Sequence, residues 1–127
     1  MLRSFPSVSE QVMEATAVLL DTFTVDPAAI RHIFMPYRIC PLGAHIDHQG
    51  GHVLGRIINS GTVLAYVPLP EPQIHLESVN FAGPIMFPIG AAVQPDAWAR
   101  SAQAAALAMN ETQPCRRGFG GVTSGTL

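Results

Sequence analysis

The sequence predicts an α+β domain, and three observations carry that expectation. Its 127 residues allow one domain with a core of its own, since a chain of this size buries roughly two-thirds of its extended surface on folding. Two stretches carry apolar residues at helical spacing. Between and after them lie short β-branched and aromatic runs broken by Gly and Pro, in mixed order with the helices.

The first helix is predicted from about Ser9 to Phe23. Ser7 followed three residues later by Glu10 is a capping-box pattern, and Val12, Thr16, Leu19 and Phe23 then share one face. Pro27 disfavours helix at Asp26 and closes the segment. His32 to Tyr37 reads as an edge or irregular strand, because Pro36 removes a ladder donor. A polar, glycine-bearing loop follows. From Val53 to Val67 the chain is nearly continuously apolar, and Asn59 to Gly61 within it reads as a hairpin turn. The two prolines in Leu69 to Pro72 make a loop. Ile74, Leu76 and Val79, then Phe81, Ile85, Phe87 and Ile89 around Gly83 and Pro84, read as a strand pair. Asp96 beside Pro95 opens the second helix, Ala97 to Met109, with Trp98, Ala102, Ala105 and Met109 on one face. Gly118 to Leu127 is extended.

Composition excludes several functions. Seven basic residues against nine acidic ones give a formal charge of −2, with no basic run. That balance speaks against a nucleic acid or an anionic membrane as partner. All seven cations are Arg; without Lys the chain has no Walker-A lysine, Schiff base or lysine base. No apolar run reaches the roughly eighteen residues of a membrane span, and no signal-peptide core follows Arg3, so a cytoplasmic protein is expected. Cys40 and Cys115 lack CxxC spacing and read as reduced thiols. Charged residues make up 13% of the chain, against about 25% in an ordinary soluble domain. Either the domain is simply Ala-rich and sparsely charged, or it is a piece of something larger that covers its surface.

Polar side chains concentrate at Arg38, His45, Asp47, His48, Gln49 and His52, threaded with Gly43, Gly50 and Gly51. Three of the five histidines fall within eight residues, so a metal site with Asp47 as carboxylate ligand is one reading. Against it, the spacing is not HExxH and no helix is credible across Gly50 and Gly51, so no metal is assigned. A turn with solvated histidines is the plainer alternative.

The run from Pro36 to Gly51, PYRICPLGAHIDHQGG, resembles the N-terminal signature of galactokinases in the GHMP kinase superfamily, in which GRVNLIGEHTDY follows a proline and precedes a glycine pair. Arg38, Gly43, His45, Asp47 and Gly51 match outright; Ile39 and Leu42 match in kind. Tyr37, Cys40, Pro41, Ala44 and His48 depart, and in departing look closest to the plant-type galacturonokinases. The resemblance implies the N-terminal part of a GHMP kinase (ribosomal protein S5 domain 2-like) fold, a mixed sheet with two helices, truncated before the ATP-binding loop. It implies a sugar 1-kinase using ATP and Mg²⁺, with Arg38 beside the anomeric hydroxyl and Asp47 accepting from ring hydroxyls. The resemblance also implies His45, flanking Asp47, and His48 as substrate-binding residues. The resemblance implies that residues beyond Leu127 would hold ATP and Mg²⁺ and supply the catalytic Asp, so that the rest of the kinase domain completes the fold. A non-catalytic sugar-binding relative is the alternative.

Ala44 stands where the family's Glu binds the C6 hydroxyl of galactose. A Glu about 4 Å from a C6 carboxylate repels it by about 1 kcal/mol in water and about 4 kcal/mol at an effective dielectric of 20. Alanine removes that repulsion, and a neighbouring imidazole such as His48 is a ready donor. The resemblance therefore implies galacturonic acid as substrate, with drift at a tolerant position as the competing explanation.

Overall fold

The computed structural model describes residues 5–94 and 98–126, with Asp47 described by its backbone alone. Helix α1 spans Val8–Thr22, and a short 3-10 turn, Pro27–Ala29, leads into β1, Arg31–Leu42. A second 3-10 turn, Asp47–Gln49, precedes β2, Leu54–Leu69. Then come β3, Gln73–Ser78; β4, Ile85–Pro88; α2, Arg100–Thr112; and β5, Gly118–Gly125. The five strands form one mixed sheet in the order β1-β2-β5-β3-β4, parallel only between β3 and β5. The α+β expectation holds.

Ser7 caps α1 as its spacing predicted, and the box closes in both directions. The Glu10 amide donates to Ser7 Oγ (3.3 Å) and the Ser7 amide donates to the Glu10 carboxylate (2.7 Å). Ala15 and Leu19 of α1 pack on Val63, Ala65 and Val67 of β2 and on Val122 of β5. Gln11 sits fully buried in the same layer, and its Nε2 donates to the carbonyls of Gly61 (3.1 Å) and Ser124 (2.8 Å). A carboxamide with two donors thus ties one helix to two strands, which holds α1 in register with the sheet.

Alternation along the strands sends the intervening residues to the other face. There Ile74, Leu76 and Phe87 pack with Ala99, Ala102 and Ala106 of the α2 region. The short alanine side chains leave an apolar cavity of about 300 Å³ between α2 and the sheet, lined by Ile74, Ala106, Met109 and Phe119 among others. On that face β1 and β2 carry little cover. Ile33 and Met35 are 46% and 42% exposed, consistent with a chain too sparsely charged to dress its surface. Among the described residues no helix is long and apolar enough to cross a membrane.

Three expectations are corrected. Asn59 to Gly61 is not a hairpin turn, because β2 runs straight through it. Gly61 faces Pro36 across the β1 ladder, and a Cβ there would enter the Met35 carbonyl and the Phe34 ring. Its glycine serves close approach of two strands. The strand begun at His32 does not stop at Tyr37; it continues to Leu42, with a register shift between Pro36 and Arg38 absorbing the proline on an edge strand. Helix α2 is shifted toward the C-terminus, starting at Arg100 with no side-chain cap at Ala99. The opening proposed for Asp96 lies outside the described residues.

Candidate functional site

Strand β5 pairs with β2 only from Thr62 to Leu69. Earlier in β2, from Leu54, the strand pairs with β1, as in Arg38↔Ile57, Ile39↔Arg56 and Leu42↔Leu54. A two-stranded ribbon therefore extends beyond the five-stranded sheet, and the residues singled out from the sequence lie along it and at its tip. At its base the Tyr37 hydroxyl meets Thr62 Oγ1 at 3.0 Å, bracing β1 against β2 where β5 ends.

The tip is a compact turn built by two left-handed glycines. Gly43 (φ 78°) follows β1 directly, and a side chain there would strike the His52 carbonyl. Gly50 (φ 74°) ends the 3-10 turn. The Ile46 amide donates to the Gly43 carbonyl (3.2 Å), and the Ile46 carbonyl accepts from the amides of Gln49 (3.1 Å) and Gly51 (3.0 Å). These bonds fold residues 43–51 into one unit and leave Ala44, His45, His48 and His52 exposed. The glycines thus serve the turn's own closure, since the space a Cβ would take at Gly43 already holds the His52 carbonyl.

Arg38 stands on β1, exposed, and its Nη1 donates to Cys40 Sγ at 3.4 Å. Among the described residues no carboxylate lies within ion-pair distance of it. Asp47 begins the 3-10 turn. His48 Nε2 lies 3.2 Å from Gln49 Nε2. Among the described residues no three His, Cys, Asp or Glu side chains converge as metal ligands. The ribbon therefore carries an exposed cation, Arg38, near its base and a small side chain at position 44 with exposed imidazoles at its tip. Sequence reasoning missed the contact of Cys40 with Arg38, although a spacing of two on a strand places both on one face.

Comparison with known proteins bears on this arrangement. No protein-family model matches the chain. It is 44% identical to a galacturonokinase of Arabidopsis thaliana over 86 residues, 66% of this chain and 20% of that protein. Galactokinases of Lactiplantibacillus plantarum (35% over 78 residues, 58% of this chain and 20% of that protein) and Halalkalibacterium halodurans (29% over 68 residues, 53% and 17%) also match. The chain spans about a fifth of the length of these relatives. The crystal structure of Lactococcus lactis galactokinase complexed with galactose superposes with a TM-score of 0.77 at 24% identity, covering 88% of this chain and 30% of that one. The mixed sheet with two helices described above is therefore the fold of that galactokinase over the matched span, and in sequence the chain is similar to the galacturonokinase and the galactokinases over part of its length.

Proposed function

We infer that residues 1–127 form the N-terminal, sugar-binding part of a GHMP kinase domain that transfers the ATP γ-phosphate to the anomeric hydroxyl of galacturonic acid in the cytoplasm. The observation that carries this reading is Ala44. An exposed alanine stands at the tip of the ribbon in a sequence whose 44% identical relative is a galacturonokinase, and at that place no acid opposes a C6 carboxylate.

In this reading Arg38 lies beside the anomeric oxygen. A guanidinium held there favours the sugar oxyanion and offsets charge that grows as phosphoryl transfer proceeds. Asp47 accepts hydrogen bonds from ring hydroxyls, and His45 and His48 flank the sugar, His48 near the C6 end. ATP supplies the phosphoryl group and Mg²⁺ neutralises its phosphates. No residue between 1 and 127 is assigned to either, and the general base is likewise assigned to the rest of the kinase domain.

The test is a phosphorylation assay of the complete gene product with galacturonate, galactose, glucuronate and glucose. Galacturonate 1-phosphate as the preferred product supports the reading. Equal turnover of galactose removes the uronate assignment, and sugar binding without phosphoryl transfer makes the protein a non-catalytic relative.

A further inference from the structure

We propose that Cys40 is a positioning residue for Arg38, holding the guanidinium in the geometry in which it acts on the sugar. The proposal rests on the role inferred above for Arg38 and goes beyond it in naming what fixes that side chain. An arginine on an exposed strand has a long stem with much rotamer freedom to lose. A cation that stabilises developing charge does so best when its position is set before the reaction.

Arg38 Nη1 donates a hydrogen bond to Cys40 Sγ at 3.4 Å. Both residues belong to β1, two apart, so strand alternation puts them on one face without help from the loop. Arg38 pairs with Ile57 and Ile39 with Arg56, and the register then shifts between Ile39 and Leu42, the interval that holds Cys40. Cys40 is half-buried while Arg38 is exposed, so the better-packed partner anchors the freer one. The chemistry of sulfur suits the task. A carboxylate in its place would bind the guanidinium more firmly and also cancel its charge. Sulfur is a weak acceptor, and it orients the fork while leaving the positive charge available to an anion. Cys40 itself is free of any disulfide.

The experiment combines two readouts on the complete gene product. The heteronuclear NOE of the Arg38 side-chain Nε, measured on arginine-labelled protein, reports the order of that group without any need for turnover. Cys40→Val, close in volume but lacking an acceptor, is expected to lower that NOE. It is also expected to lower kcat for galacturonate roughly fivefold, the equivalent of one net hydrogen bond, with KM changed less than about twofold. Cys40→Asn restores an acceptor and both readouts. In an Arg38→Lys background the Cys40→Val change costs less than about twofold, because no fork remains to position. An unchanged Arg38 NOE in Cys40→Val, no rescue by Asn, or an undiminished kcat loss in the Lys background overturns the proposal. If Cys40→Val disturbs the amide spectrum, Cys40→Ala carries the same comparison. A wild type that phosphorylates no sugar, with an Arg38 NOE that still depends on residue 40, overturns the kinase reading and leaves the positioning contact standing.

Discussion

Asn80 holds Gly125 by both of its backbone groups: Asn80 Nδ2 donates to the Gly125 carbonyl at 3.1 Å, and the Gly125 amide donates to Asn80 Oδ1 at 2.7 Å. One side chain thereby does the work of a neighbouring strand at the end of β5, just past the last β3 pairing at Ser78↔Thr123. The Val79 amide, donating to the Thr123 carbonyl, extends the same seam. Asn80→Ala removes both bonds and should lower stability by about 1 to 2 kcal/mol, read as a shift in denaturation midpoint at constant slope. Asn80→Asp should recover only part, since a carboxylate keeps the acceptor and loses the donor. A midpoint unmoved by Asn80→Ala would mean that β5 needs no hold at this end.

The cap of α1 carries the pH dependence that can be predicted. Glu10 lies below its ordinary value of 4.5, first through the Ser7 backbone amide and then through the Ser7 hydroxyl, both of which donate to its carboxylate. Because the folded state holds this group's pKa down, its contribution is present above the ordinary value and fades as pH falls through the lowered one. Ser7→Ala should cost about 1 kcal/mol at neutral pH as a lost N-cap and, because it keeps the backbone amide, should flatten the acid side of the stability profile only in part. Denaturation at a series of pH values below 5 measures both; a Glu10→Gln profile parallel to wild type would contradict the box as the source of the pH dependence.

Arg38→Ala should separate binding from turnover. If the guanidinium stabilises charge that develops only during transfer, kcat for galacturonate falls by about two to three orders of magnitude while sugar affinity changes little. Steady-state kinetics with calorimetric binding decide it. A raised KM at unchanged kcat would reduce Arg38 to a binding group.

Ala44→Glu tests the sugar's C6 end. Ala44 is exposed, so the repulsion of a galacturonate carboxylate by an acid about 4 Å away falls between the aqueous figure of about 1 kcal/mol and about 4 kcal/mol. kcat/KM for galacturonate should accordingly drop by between about fivefold and three decades, while that for galactose holds or rises. Equal losses for both sugars would show that the glutamate merely disturbs the turn.

The helices and the strand pair β3–β4 were legible because their signals are local. Ser7 and Glu10 mark an N-terminus by their own chemistry, and the apolar run around Gly83 and Pro84 marks a reversal. Gly61 was misread for the opposite reason. Its glycine answers a contact with Met35 and Phe34, more than twenty residues away in sequence, which no local pattern announces. The site divides in the same way. The signature from Arg38 to Gly51 was visible as a run of residues, whereas its placement on a ribbon beyond the reach of β5 depends on which strand inserts between β2 and β3.

That ribbon has a consequence for how such a protein diversifies. The residues that would meet a sugar are carried on strand segments that β5 does not pair, braced at their base by Tyr37 and Thr62 and set apart from the two cores on which α1 and α2 rest. A substitution at the exposed tip leaves the packing of the two cores in place. A charge can therefore be introduced at a position such as Ala44 while the architecture is kept, so that what the tip could bind and whether the chain folds are set by largely separate residues.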